Sequence, residues 1–534
     1  MKNLNKLSIF SLMSVILLSS CETTELDLTV NPNALSPENA SADLFINGIQ
    51  EDFAYFVDGL GSVGSRLTRV RYMGGARLYN DNYSPTSFSG TWTNAYQGML
   101  EDIRLMNVLA EEAGLTYYIG MGQVMQAYIA MTLVDFFGDV PYSEALQGSD
   151  NLNPAADSGE SVYNAALSLL DAAIANFNQG GASPQYDMYY GGNASKWIKA
   201  ANSIKKRAHL NMGDYAAYSA ITDYITDNSD DFQFQWGTNA IQPDTRSPIY
   251  RSNYTNTGAS DYQSNWLMDR MMKGRNNMRD PRINYTFYRQ VPVTPGKDGP
   301  IDEVSLECSG PGYYTEPHRI AYGVYCNLPE GYWGRDHGND EGIPPDGFKR
   351  TLMGIYPAGG AFDDASFKSL GLGDGQGGNG ITPVVAASWM HFMDAEVTVM
   401  TGGDPTTSTL SGIRANLNKV DDMSGAPTLD ASKIEDYISS FAIEWGFASS
   451  LDAKLELWAE EFWISQLGNG IDAYNSYRRN GYPKNLQPTV EPNPGPFPMS
   501  MWYPQNYAAN NSNVTQKSDL TSRVFWNSNG PTVD

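Results

Sequence analysis

Apolar residues recur at helical spacing in two blocks of the chain, separated by a long stretch in which the pattern dissolves. Between Thr93 and Ala110, Tyr96, Leu100, Ile103 and Met106 fall on one face. Tyr117, Met121, Val124, Tyr128 and Met131 do the same up to Asp135, and Val162, Ala166, Leu169, Ala173 and Phe177 follow Ser161. Ser195 is placed to cap a further helix carrying Trp197, Ala201, Ile204 and Ala208, and a short one is expected over Tyr215–Thr226. The second block begins near Ser388, with expected helices over 388–400, 407–419, 433–445, 451–467 (capped by Ser450) and 469–479. Helices of similar length joined by short polar loops read as stacked hairpins. No strict 34-residue motif repeats, so the tetratricopeptide likeness lies in layout alone.

From about 231 to 387, Gly, Pro, Asn and Tyr punctuate the chain, with short strands expected at Ile283–Arg289 and Val384–Ala387. So long a stretch without regular structure inside a folded protein points to function. The expected organisation is therefore mainly α: hairpins over 40–230 and 388–480, a loop-rich ligand face over 231–387 and a Pro-rich tail over 481–534. Trp92, Trp197, Trp389 and Trp458 sit at helical positions and are assigned to the core; Trp266 is read as helical packing.

The N-terminus has its own character. Lys2 and Lys6 precede an apolar run from Leu7 to Leu18 and then Leu18-Ser19-Ser20-Cys21. The run is too short for the ~20 residues of a membrane helix. It reads as a signal peptide over 1–20, with the form of a bacterial lipobox and Cys21 as the lipid anchor.

The composition narrows the function. Among 534 residues, 35 Lys and Arg against 60 Asp and Glu give a charge of −25, which argues against nucleic-acid partners. Four His and three Cys without metal-ligand spacing leave no metal site or cofactor to assign. Asp336, Asn339, Asp340 and Asp374 lack the spacing of a calcium loop and are read as solvated turns. Cys308 and Cys326 lie in a Gly- and Tyr-rich segment; an oxidising compartment permits a disulfide there, with two free thiols as the alternative.

Several phrases carry a family resemblance. Val134-Asp135-Phe136-Phe137-Gly138-Asp139-Val140-Pro141-Tyr142-Ser143-Glu144-Ala145, Phe392-Met393-Asp394-Ala395-Glu396, and Asn469 through Arg478-Arg479-Asn480-Gly481-Tyr482-Pro483 occur in that order behind the lipobox. Together they resemble the SusD/RagB family of Bacteroidetes outer-membrane lipoproteins, over essentially the whole chain after Cys21. The resemblance implies a non-enzymatic, surface-exposed lipoprotein, tethered to the outer membrane by lipid. It would bind a glycan, or in some branches a peptide, and act as a lid delivering it to a TonB-dependent SusC-like barrel. The family phrases themselves read as scaffold: Gly138 permits a turn, Pro141 stops the helix, and Asp135, Asp139 and Arg478 make structural bonds.

A sugar ring asks for an aromatic plane and a rim of polar groups. Two loop stretches offer both. One holds Tyr72, Arg77, Tyr79, Asn80, Asp81 and Tyr83; the other holds Tyr314, Tyr332, Trp333 and Arg335, with glycines expected to let Tyr332 and Trp333 stand out from the backbone. The competing reading for each is a loop anchor. A secreted glycoside hydrolase is the rival function: it needs two carboxylates across a cleft, and Glu460 and Glu461 are adjacent on one helix and expected to face different sides.

Overall fold

The structure, a computed structural model, describes residues 41–75, 79, 82–295, 297–300, 328–339, 345–491 and 493–533. The first block is built from α1 (Ala42–Leu67), α2 (Ser89–Thr93), a π-helical segment (Asn94–Leu100), α3 (Glu101–Ala113), α4 (Thr116–Phe137), α5 (Gly159–Gln179), α6 (Ala194–Met212) and α7 (Tyr215–Ala220). Between the blocks lie β1 (Phe232–Gln235), α8 (Pro248–Asn253), α9 (Asn265–Lys273), α10 (Ile283–Thr286), β2 (Phe287–Tyr288), β3 (Leu352–Met353) and β4 (Ile381–Val385). The second block is α11 (Ala387–Met400), α12 (Thr406–Lys419), α13 (Ala431–Phe447), α14 (Leu451–Ser465) and α15 (Ile471–Asn480), and α16 (Gln505–Asn510) lies in the tail. The fold is mainly α, as the periodicity implies.

Consecutive helices pack on each other from α3 to α7 and again from α11 to α13, which is the hairpin stacking expected. α4 is buried almost all round and forms the centre of the first block, so it shows little amphipathic contrast. No helix among the described residues is long and apolar enough to cross a membrane. The blocks meet where α1 packs on α15 and α6 on α11. β1 pairs antiparallel with β4, and β2 with β3.

Several boundaries differ from the sequence expectation for local reasons. Asn193, not Ser195, caps α6: its side chain accepts from Lys196 N at 3.2 Å. Ser158 caps α5 in the same way, through Ser161 N. The helix expected across 93–110 is continuous but changes to i→i+5 bonding over Asn94–Leu100. Ile283–Arg289 is a helical turn followed by a two-residue strand. Residues 231–387 hold two further helices, α8 and α9. α1 escaped notice because Gly59, Gly61 and Gly64 interrupt a pattern that Ile46, Ile49, Phe53, Val57 and Leu60 otherwise carry, all of them buried.

One buried polar cluster ties the blocks together. Asp135 on α4 is fully buried and accepts from Arg207 Nη2 (3.0 Å), Asn475 Nδ2 (2.8 Å), Trp526 Nε1 (3.0 Å) and the Tyr163 hydroxyl. Arg207 on α6 also donates to Asp472 on α15. Burial opposes the charge of Arg207, but Asp472 and Asp135 outweigh it and hold the guanidinium protonated. Arg478 lies 3.7 Å over the Tyr474 ring and donates to Met499 O at 2.5 Å. Asp139 accepts from Gly159 N at 2.8 Å, fixing the start of α5.

Removing the carboxylate at Asp135 strands several buried donors at once. Asp135→Ala is expected to lower the unfolding free energy by roughly 3–5 kcal/mol. Glu435→Ala, which removes an exposed partner of Arg414, leaves the urea midpoint unchanged. Urea unfolding followed by circular dichroism compares the two.

Candidate functional site

The two aromatic stretches meet, through residues more than 250 positions apart in the chain. The Tyr72 hydroxyl donates to the Asn339 carbonyl, and Gly338 N donates to Met73 O at 2.8 Å. The Tyr79 hydroxyl lies 3.1 Å from His337 Nε2. Tyr79 is also held by its own N–H on Pro494 O (2.9 Å) and by edge contact with Phe497. Tyr83 is buried and stacks on Phe88. Tyr72 is half-buried and meets Tyr262 edge-on. Arg77, Asn80, Asp81, Tyr314, Cys21, Cys308 and Cys326 lie outside the described residues.

The expectation that glycines push Tyr332 and Trp333 outward is corrected. Gly331, at φ +80°, passes so close to the neighbouring loop that a Cβ there would lie 1.8 Å from Val291 O. The glycines thus bring backbone against backbone, and Tyr332 and Trp333 point into the core, 0% and 2% exposed. Arg279 and Arg289 both lie over the Tyr332 ring. Thr351 brackets Trp333 through two hydrogen bonds, Trp333 N to Thr351 Oγ1 (2.8 Å) and Thr351 N to Trp333 O (3.0 Å).

Arg335 is buried as well. Its guanidinium lies 4.1 Å from the Tyr262 ring centre, with Arg350 at 3.8 Å and Arg335 Nη2 3.1 Å from the Tyr262 hydroxyl. Such cation–π packing holds the charges without full hydration. Tyr262 donates in turn to Asp346 (2.8 Å), which also takes Arg350. Arg71 pairs with Asp261 at 3.1 Å beside this cluster. Burial, with Arg69 adding to it, pushes the His337 pKa well below its usual value, so the imidazole is neutral. Asp336, expected as a solvated turn, is buried and accepts from Asn265 Nδ2 at 2.9 Å. Tyr262, His337 and Asp261 escaped the sequence reading as site residues. Only tertiary proximity selects them, and no local motif carries that signal.

The arrangement is a rigid floor of interlocked tyrosines and arginines with Tyr72 at its open edge. No group of three His, Cys, Asp or Glu among the described residues could hold a metal ion. The carboxylates proposed for the rival hydrolase do not face apart as expected. Arg275 spans both, with Nη1 2.6 Å from Glu460 Oε2 and Nε 2.7 Å from Glu461 Oε1. Arg282 adds a further bond to Glu461 at 2.7 Å. Burial raises the Glu461 pKa, but Arg282 and Arg275 outweigh it and hold the carboxyl well below the usual range. A carboxylate so held has no proton to give a leaving group.

Comparison with known proteins gives a consistent relation. A SusD-like family model, described as starch-binding and associating with the outer membrane, matches residues 32–304. A SusD/RagB family protein from Bacteroides thetaiotaomicron superposes with a TM-score of 0.66 at 19% identity, covering 92% of this chain and 100% of its own. A chitin-binding SusD homologue from Flavobacterium johnsoniae gives 0.61 at 18% identity, over 92% and 99%. A Bacteroides vulgatus outer-membrane protein associated with nutrient binding gives 0.59 at 17% identity, over 91% and 100%. No curated protein sequence matches the chain significantly.

Glu461 also makes a pH prediction. Its folded pKa lies below the unfolded value of about 4.3, so its stabilisation is fully present above that pH and is lost as the pH falls towards the folded pKa. The wild type is therefore expected to lose stability more steeply than Glu461→Gln between about pH 4 and pH 2. Thermal melts across that range read the difference in slope.

Proposed function

The chain belongs to the SusD-like family, and on that premise we propose that it is a lipid-anchored, surface-exposed protein that binds a glycan and delivers it, as a lid, to a TonB-dependent SusC-like barrel. The convergence of the two aromatic loop stretches at Tyr72, Tyr79, His337 and Asn339 is the observation that carries this reading. In it, Tyr72 and the segments holding Arg77, Asn80, Asp81 and Tyr314 meet the ligand. Tyr79, Tyr83, Tyr332, Trp333 and Arg335, all buried, are the structural support of the site. Cys21 carries the lipid, and Cys308 and Cys326 form a disulfide that ties the Tyr314 segment. The starch-binding description of the family and the chitin-binding relative support carbohydrate over peptide. The engaged state of the Glu460–Glu461 pair supports binding without chemistry.

Tyr72→Ala is expected to weaken oligosaccharide binding about tenfold, roughly 1.4 kcal/mol. Isothermal titration against chitohexaose, maltohexaose and a peptide mixture measures it. Heat from peptides alone would move the assignment to the peptide-binding branch, and release of reducing ends would end the non-enzymatic reading. Cys21→Ser is expected to abolish labelling by a palmitate analogue and to free the protein from the membrane fraction.

A further inference from the structure

A second concave surface lies away from the residues assigned so far, between the π-helical segment, the loop after α4 and α16. Its cavity of about 300 Å³ lies at the lower end of ligand-pocket sizes, on the order of 300–1,000 Å³. Trp92, Tyr96 and Tyr507 form one wall. Their ring centres lie 4.7 Å (Trp92–Tyr96) and 4.6 Å (Trp92–Tyr507) apart. Pro141 and Pro154 face them, and the amides of Gln97 and Asn510 stand at the rim.

Two features distinguish this groove from ordinary packing. The first is its chemistry: every lining residue is neutral, in a chain of net charge −25. An ionic ligand finds no counter-ion there, whereas the partly exposed Tyr96 ring beside the side-chain amides of Gln97 and Asn510 suits the C–H face and hydroxyl rim of a neutral sugar. The second is the backbone. Residues 94–100 pair i→i+5, and such segments persist mostly where function maintains them. Gln97, inside that segment, lines the groove together with Trp92. Asn506 braces the wall by donating to Thr93 Oγ1 at 2.9 Å, and Asn510 donates to Asn506 O at 2.8 Å, leaving the second amide hydrogen and the carbonyl of Asn510 for the rim.

We propose that the groove between Trp92, Tyr96 and Tyr507 is a second binding site that takes a neutral pyranoside unit of a glycan. It rests on the glycan-binding reading above but concerns a different surface, so the full chain would hold an oligosaccharide at two places.

The test uses the protein from Cys21 onward and a panel of chitohexaose, maltohexaose, cellohexaose and xylohexaose. Binding is followed by titration calorimetry and by hydrogen exchange of peptides spanning 91–97 and 505–511. Protection of both peptides by a binding sugar is expected, with Gln97→Ala and Asn510→Ala each weakening that site about tenfold while Tyr72→Ala leaves its protection in place. Gln97 and Asn510 are both exposed, so neither variant threatens folding. Binding that leaves both peptides unprotected, or that neither groove variant weakens, overturns the second site while the function stands. Absence of binding by every sugar overturns both.

Discussion

A buried carboxylate without enough donors is among the most expensive arrangements a protein interior can contain. Asp135 sets that constraint here. Its two oxygens take bonds from α5, α6, α15 and the tail, through Tyr163, Arg207, Asn475 and Trp526. Four parts of the chain must therefore arrive at one point, and Arg207 extends the requirement to Asp472. The hydrophobic packing of the hairpins supplies the bulk of the stabilisation. The polar cluster decides which hairpin meets which, because any other register leaves a charge unpaired.

That fixed body lets the intervening segment be irregular without being loose. The loops at Tyr332–Arg335 are held as a helix core is held, by buried rings, cation–π pairs and backbone approaches only glycine allows. The acids of this surface, Asp261 and Asp346, are already engaged by arginine. The same logic applies to a pair of acids elsewhere in the fold. Glu460 and Glu461 are close and buried, as a catalytic pair can be, but their protons are gone and their lone pairs are occupied.

The hairpin helices were legible because burial on one face writes a 3.6-residue period into the chain. The family phrases were legible as scaffold for a related reason: Gly138, Asp139 and Arg478 do structural jobs that admit few residue types. α1 was obscured by glycines that the spacing of its apolar face outlasts. The site was only half legible. Composition located aromatic loops but not the direction of each ring, since Gly331 can expose a neighbour or let two backbones touch, and the loop at Val291 decides which. The Tyr262 sandwich and the groove beside Trp92 depend on segments far apart in sequence, which no local pattern encodes.

The Asp135 cluster also constrains how the molecule can come into being. Trp526 follows Asp135 by 391 residues, while the family model ends at residue 304. The portion most recognisable as a sequence is thus not a unit that can complete its own interior. Without Trp526, α4, apolar on nearly every side, keeps its central acid incompletely answered. Folding is accordingly a property of the whole polypeptide, and loss of the tail is felt at the centre of the first helical block.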